Sequence, residues 1–456
     1  MTDYLKIIKR YLEKLFPIHR CITGEGNRES LRILKELIPL NILEYPSGTS
    51  VYDWTIPEEW GVCDAFIKNS QGEKIVDLQQ SNLHVVSYSK AIHQTMGLQE
   101  LKPHLHFLQE LPEAVPYRTS YYKEDWGFCL TYHQYQTLMK NGGPFEVFID
   151  ASRKTGSLTA GELLIKGKNE QEVLISTYIC HPSLANDNLS GMVLTAFLAG
   201  ELLSRKNLNR SYRIIFVPET IGAIAYCAMN EQSMQAIDMG LVLTTVGGPG
   251  RLGYKQSFNK NHRVNKLIEE SFVELGHDFT TYPFDIHGSD ERQYSSPGFR
   301  INTATVCKDK YYEYPGYHTS LDNLDLVTAE SIYQSFKVYL KLIDKLELES
   351  ILPKARQDTR QFSAEASGER EVYLNRYPNC EVMLSRHNLY PETGGGLLPE
   401  KNSHSDLDLI LWMLYFCDGQ GSIDELSREI SAPLNELKRI ARLLEGAGLL
   451  EKVRSP

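Results

Sequence analysis

Apolar positions recur at helical spacing near the start of the chain: Leu5, Ile8, Tyr11, Leu12 and Leu15, then Leu31, Leu34 and Leu37. That spacing predicts two helices within residues 1–45. From about 50 to 150 the pattern changes to short aromatic and β-branched runs. Examples are Val51–Ile56, Cys63–Ile67, Leu83–Ser87, Trp126–Thr131 and Phe145–Ile149, broken by Gly and Asn as in Asn69-Ser-Gln-Gly72. These predict a small β-rich domain, inserted into or packed upon a larger one. Residues 160–345 then alternate. Strand signals at Glu172–Ser176, Tyr212–Val217, Gly240–Thr245 and Asn302–Val306 are interleaved with helix signals near 190–204, 220–230, 261–275 and 326–348. Such alternation predicts an α/β fold with a sheet between helices.

Beyond 350 the pattern fades. Residues 351–403 are polar and Gly/Pro-rich, including Pro391-Glu-Thr-Gly-Gly-Gly396, and read as a linker or extension. From Ser405 it returns as a helix over 406–417, a turn at Asp418-Gly-Gln-Gly421, helices over 422–431 and 433–447, and a strand-like Leu449–Val453. Ser422 with Glu425 three residues on is a capping-box signal. Three short helices and a strand resemble a winged helix. The division that follows is a core of 1–50 with 151–350, an insert of 51–150, a connection of 351–403 and a winged-helix-like unit of 404–456.

Charge alters how that last unit is read. Residues 404–456 carry nine acidic and six basic side chains, a balance of −3, and the whole chain is at −10. Readers of nucleic acid need positive charge for the phosphates. Nucleic acid is therefore disfavoured as a partner, and a packing or protein-contact role is expected. A chain of 456 residues is also too long for one core. Its 42% hydrophobic and 23% charged content reads as soluble and globular. There is no apolar run near the roughly 18–20 residues of a membrane span. The amphipathic N-terminus lacks the apolar centre of a signal peptide. The expected location is cytoplasmic, with no membrane partner. Eight cysteines without a CxxC pair fit reduced thiols and argue against a cysteine zinc site.

The candidate chemistry gathers at strand ends. His181 and Asp187 stand six residues apart on the loop Cys180-His-Pro-Ser-Leu-Ala-Asn-Asp-Asn-Leu-Ser-Gly191, between a strand signal and a helix signal. Open α/β sheets place their sites in the crevice at the carboxyl ends of strands. An imidazole and a carboxylate so placed suit a borderline metal such as zinc. Glu219 follows the strand Tyr212–Val217, where burial and a nearby cation compete over a carboxylate, the tuning a hydrolytic general base needs. Asp285-Ile-His-Gly-Ser-Asp-Glu-Arg-Gln293 gathers five ionisable side chains, including His287, Asp290 and Glu291. The segment 311–323 sets His318 among four tyrosines, a candidate wall for a substrate. Each feature also has an ordinary use: a turn and cap at 187–191, a helix start at Glu219, ion pairs of Asp290 with Arg292 or Arg300, packing for the tyrosines. Their joint appearance in one α/β region is what points to a metal site.

In order and spacing, His181, Asp187–Gly191, Glu219–Gly222, Ser289-Asp290 and Tyr317-His318 resemble the zinc-dependent aminopeptidase/glutamate carboxypeptidase-like fold, a phosphorylase/hydrolase-like core with a mixed sheet between helices. The whole chain resembles an aminopeptidase-like family. The resemblance rests on Pro46-Ser-Gly-Thr49, Asp53-Trp-Thr55, Pro57-Glu-Glu-Trp60, Ser81–Val85, Thr119–Tyr122, Trp126–Cys129 and the 180–191 motif. It implies an inserted β domain and a C-terminal winged helix. It also implies that His181, Asp187 and His318 are ligands, Asp187 bridging if two metals bind. Glu219 would be the base acting on water, and Asp290 would orient a ligand or the substrate amine.

Two departures qualify this. The acid expected after Glu219 is Thr220, and the acid expected at the next strand end is Thr244 or Thr245. One zinc, or a degenerate site, is therefore expected. Glu219 could then be a ligand, leaving Glu291 or His287 as base. Tyr317 is the candidate oxyanion donor. The leading expectation is hydrolysis of an amide in a peptide or small molecule, such as an amino-sugar derivative. The rival is a non-catalytic binding or assembly protein on a peptidase scaffold. Homo-oligomerisation through the insert is left open.

Overall fold

The structure is a computed structural model, and it describes residues 2–121, 123–350, 354, 370–389 and 404–453. Its centre is one mixed sheet of eight strands: β1 (Asn41–Pro46), β2 (Ser157–Ile165), β3 (Glu172–Tyr178), β4 (Ser211–Val217), β5 (Met239–Val242), β6 (Gly253–Lys255), β7 (Thr280–Tyr282) and β8 (Asn302–Cys307). Their spatial order is β1-β2-β4-β3-β5-β8-β6-β7. The middle four, β4-β3-β5-β8, run parallel. They are buried along almost their whole length, as strands covered on both faces must be. Hence they read as continuous apolar runs rather than alternating ones. Residues 41–46, within the stretch expected to be helical, form the edge strand β1, where Asn41–Pro46 pair with Glu162–Ser157.

Six helices matter for the site: α1 (Thr2–Leu15), α2 (Glu25–Leu34), α3 (Gly191–Ser204), α4 (Ile221–Met229), α5 (Arg263–Glu274) and α6 (Ala329–Leu348). Leu12, Leu15, Val193, Leu198, Ile268 and Phe336 cover one face of the sheet in a single apolar cluster. The other face is different. Ile215 and Val217 of β4 and Ala225 of α4 share a cluster with Ile67, Val147 and Ile149 of the region 51–154. That region forms an antiparallel sheet of Lys74–Asp77, Glu59–Lys68, Phe145–Lys154 and Ile92–Met96, in that order. The β-rich insert thus packs upon the main sheet and shares its core. Leu83–Ser87, expected to be extended, instead contains a short 3-10 turn over Asn82–His84, because Ser81 Oγ accepts the N–H of Leu83.

The C-terminal unit has its own core around Met413, Leu426, Leu437 and Leu444. Its helices are Asp406–Phe416, Ile423–Ile430 and Leu434–Gly446. The Ser422–Glu425 capping box is present. Two expectations change here. Asp418–Ser422 is a strand rather than a turn, and Val372–Asn375, read as part of the connection, is the central strand between it and Leu450–Lys452. A Gly-rich polar run has little strand preference of its own. The strand supplied by 372–375 decides its state, with a register shift marking the irregularity. The rest of the expected connection, including Pro391–Gly396, lies outside the described residues. Among the described residues, no helix is long and apolar enough to cross a membrane.

Candidate metal centre

The site lies at the carboxyl ends of the four parallel strands. β3 delivers Tyr178, Cys180 and His181; the loop 185–190 carries Asp187 into α3. β4 delivers Glu219 and β5 delivers Thr244 and Thr245. The loop after β8 delivers Tyr317 and His318. Neighbouring parallel strands end side by side, so residues far apart in sequence meet.

The loop holding Asp187 is fixed by polar groups. Asp322, fully buried, accepts the main-chain N–H of Asn186 at 2.6 Å and of Asp187 at 2.9 Å. Tyr314 donates its hydroxyl to the same carboxylate at 2.8 Å. Asn188 Nδ2 donates to Thr177 Oγ1 at 2.8 Å, and Asn186 Oδ1 accepts the N–H groups of Gly247 and Gly248 at 2.9 and 3.0 Å. The Asp187–Asn188 peptide is cis.

His181, Asp187 and His318 converge. His318 Nε2 is 3.0 Å and His181 Nε2 is 4.0 Å from Asp187 Oδ2, and the three donor atoms all lie within 4.8 Å of one another. Donors around a tetrahedral zinc at about 2.0–2.1 Å are about 3.4 Å apart, so the spacing fits. Asp187 Oδ2 is buried and, although His318 Nε2 stands 3.0 Å away, no hydrogen bond reaches it. A carboxylate oxygen in that state is what a cation would complete. His318 itself sits at φ 53°, in the left-handed region. Burial alone would raise the Asp187 carboxyl, but the two imidazoles and the Tyr178 hydroxyl hold it at about 2. Burial lowers the His181 imidazole, opposed by Asp187 and Glu219.

Glu219 Oε2 stands 3.7 Å from His181 Nε2. Burial pushes its carboxyl up to about 7, with Asp187 adding to the rise and His181 opposing it. Asp290 is buried beside it and accepts the N–H of Thr220 at 2.8 Å, while its Oδ2 has no donor. Burial and then Glu219 push the Asp290 carboxyl well above the usual carboxylate range.

The threonines that replace the expected acids have other uses. Thr244 Oγ1 lies 2.6 Å from the Tyr178 hydroxyl, which in turn donates to Asp187 Oδ1. Thr220 and Thr245 have φ of 63° and 48°. Positive φ in a β-branched residue costs about 1–3 kcal/mol and is held only where the surroundings impose it.

Two expected residues stand elsewhere. Glu291 is paired with the buried Lys255 at 2.8 Å and accepts from Tyr311 at 3.2 Å, because a carboxylate in the core must be neutralised. Those partners engage its Oε1, and its Oε2 accepts the N–H of Ser289 at 3.2 Å. His287 reaches Asp408 of the C-terminal unit at 3.3 Å. Tyr317 does reach the site: its ring lies flat on His318, 3.9 Å between centroids and 14° between planes.

One wall comes from the insert. The ring of Tyr117 is 5.2 Å from that of His181 and 5.4 Å from that of His318. Its N–H donates to the His318 carbonyl at 2.8 Å, and Val115 and Ser320 pair beside it. Sequence reasoning missed Tyr117, Tyr178 and Asp322. Asp322 lies inside the tyrosine-rich segment singled out for His318. Tyr178 ends the strand β3, two residues beyond the signal read at Glu172–Ser176. Tyr117 carries no local signal of its place here, since the two imidazoles it flanks, His181 and His318, lie far along the chain.

Comparisons with known proteins bear on the family and the fold. Residues 9–349 match a family described as a domain of unknown function (DUF4910), and residues 371–452 match a winged helix-turn-helix. A candidate polysaccharide biosynthesis protein with an aminopeptidase-like domain, from Clostridium acetobutylicum, is 39% identical over 446 residues, 98% of this chain and 96% of that protein. The crystal structure of a candidate peptidase from Clostridium acetobutylicum superposes with a TM-score of 0.73 at 38% identity, covering 99% of this chain and 97% of the other. A zinc aminopeptidase from Bacillus subtilis shares the fold at 13% identity, with a TM-score of 0.56 over 75% of this chain and 94% of its own. The core is thus aminopeptidase-like, and the C-terminal unit is a winged helix.

Proposed function

The chain belongs to the DUF4910 family, joined to a C-terminal winged helix, and from that premise we propose that it is a metal-dependent hydrolase of amide bonds working with a single zinc ion. The observation that carries this reading is Asp187 Oδ2, a buried carboxylate oxygen without a donor that faces two imidazoles. His181 and His318 would present Nε2 lone pairs and Asp187 its charge. A zinc ion held there supplies a Lewis acid that polarises the amide carbonyl and acidifies water.

The remaining work belongs to side chains. Glu219, beside His181, takes a proton from the attacking water and passes it to the leaving amine. Asp290 holds the Thr220 N–H and so sets the backbone that carries Glu219. Tyr117 and Tyr317 flank the imidazoles and keep bulk water from them. The substrate class is a peptide N-terminus or an amide-bearing small molecule. The name of the Clostridium relative, with its reference to polysaccharide biosynthesis, favours an N-acyl amino-sugar derivative.

Glu219→Gln and His318→Ala separate the roles. With Glu219→Gln, zinc content stays near that of the parent while turnover of aminoacyl or N-acyl substrates falls by about 10²–10⁴-fold. With His318→Ala, zinc content falls, as read by elemental analysis. Equal turnover by Glu219→Gln would remove it as the base. A second reading, a non-catalytic binding or assembly protein, is favoured by Thr220 and Thr244 standing where acids are expected and by Tyr178 occupying Thr244. Zinc-bound protein inactive across that substrate panel, with cobalt as well, would select it.

A further inference from the structure

Every metal-ligating imidazole has a second nitrogen, and its partner decides the tautomer. For His181 that nitrogen is Nδ1, and Cys180 Sγ lies 3.6 Å from it. The same sulfur, also buried, accepts the main-chain N–H of Glu219 at 3.2 Å. The contact exists because β3 and β4 are parallel neighbours, with Tyr178 beside Val217, so Cys180 and Glu219 leave adjacent strand ends together. Resting on the zinc reading above, we propose that Cys180 is a positioning residue for the centre. Its sulfur receives the Nδ1–H of His181 and the N–H of Glu219, and so fixes the ligand's tautomer and the base's backbone with one atom.

The chemistry favours a sulfur here. With Nδ1 protonated, the Nε2 lone pair of His181 is free toward Asp187 and His318, the side on which Asp187 Oδ2 lacks a donor. The usual partner behind a ligating histidine is a carboxylate, carbonyl or water. A carboxylate at 180 would add a third acid beside Glu219 and Asp290. A sulfur spans the 3.6 Å to Nδ1, where the smaller oxygen, whose bonds run at about 2.7–3.2 Å, would leave a gap, while it also takes the Glu219 N–H at 3.2 Å. Cys180 also falls in a group with His181 and Glu219 whose donor atoms lie within 4.8 Å. The sulfur stands at Nδ1, however, and already takes the Glu219 N–H, so it supports the ligand rather than joining it.

The test uses the full-length protein with Cys180→Ala and Cys180→Ser. Nitrogen-15 NMR of the metal-free histidine-labelled protein reads the His181 tautomer, and chelator competition reads zinc affinity. The expected result is an Nδ1–H form in the parent that gives way to a tautomer mixture in Cys180→Ala. Zinc affinity should fall about 10–100-fold in that variant and be only partly restored by Cys180→Ser, whose oxygen still accepts the Glu219 N–H. An unchanged tautomer and unchanged affinity in Cys180→Ala overturn the proposal. So does a sulfur-to-cobalt charge-transfer band in the cobalt-loaded parent, which would make Cys180 a ligand. A parent that binds no zinc sinks the metal reading instead, while the NMR result still decides the Cys180 contact.

Discussion

Tyr178 connects what remains of the site to what has replaced its acids. Its hydroxyl donates to Asp187 Oδ1 and is in contact with Thr244 Oγ1 at 2.6 Å, all three buried. A hydroxyl has one proton, so Thr244 donates to Tyr178 and Tyr178 to Asp187. We expect Tyr178→Phe to leave a buried hydroxyl and a buried carboxylate oxygen each short of a partner. The loss should be about 1–3 kcal/mol of stability, read from the urea midpoint, together with weaker zinc binding. At this scale the sequence was legible where a residue type is rare at a strand end. His181, Asp187, Glu219 and His318 converge in the structure. Glu291 and His287 pair with Lys255 and Asp408, contacts that leave no local pattern.

The elements that carry the site are joined by close main-chain approaches. Gly191 begins α3 directly after the Asp187 loop. A Cβ there would meet the Leu243 carbonyl oxygen at 2.3 Å and Asn188 Oδ1 at 2.2 Å. The first is backbone at the end of β5 and cannot rotate away. Gly191→Ala should therefore cost about 1–3 kcal/mol or more and weaken zinc binding by shifting the 185–190 loop. A thermal melt and chelator competition would check both, and an unperturbed melt would contradict the packing. In 160–345 the four parallel strands and the longer helices were readable because each is a sustained apolar run or a sustained helical period, whereas the short strands Gly253–Lys255 and Thr280–Tyr282 were not read. Nor were the strands Asn41–Pro46, Val372–Asn375 and Asp418–Ser422. They are edge or irregular strands whose state is chosen by a partner strand.

Across the whole molecule, three parts meet near His19. It lies between α1 and α2, its ring edge-on to Trp60 of the insert at 5.7 Å. Burial, then Arg20, pushes its imidazole down to about 4, and its Nε2 has no partner. The unfolded chain takes up this proton below about 6.5 and the folded one only below about 4. Stability from this group is therefore lost as pH falls through that window. Between pH 7 and pH 5 the parent should lose up to about 2 kcal/mol more than His19→Phe, read as the difference in urea midpoints. An equal loss in both proteins would show that His19 titrates freely. The C-terminal unit is tied to the core by Arg300–Asp418 at 2.8 Å and Arg292–Glu381 at 2.9 Å, and to the insert by His387–Asp53 at 3.0 Å.

Hydrophobic period and strand-end chemistry, read along the chain, determined an α/β core, a β-rich insert, a winged-helix-like end and four of the groups at the candidate centre. These are encoded within stretches of ten to fifteen residues. Tertiary structure alone decided that Tyr117 crosses from the insert to flank both imidazoles, and that Asp322 holds the Asp187 loop. It also set Cys180 behind His181 and against Glu219. Such contacts depend on which strands lie side by side, and strand order is settled by burying the whole sheet at once rather than by any one segment.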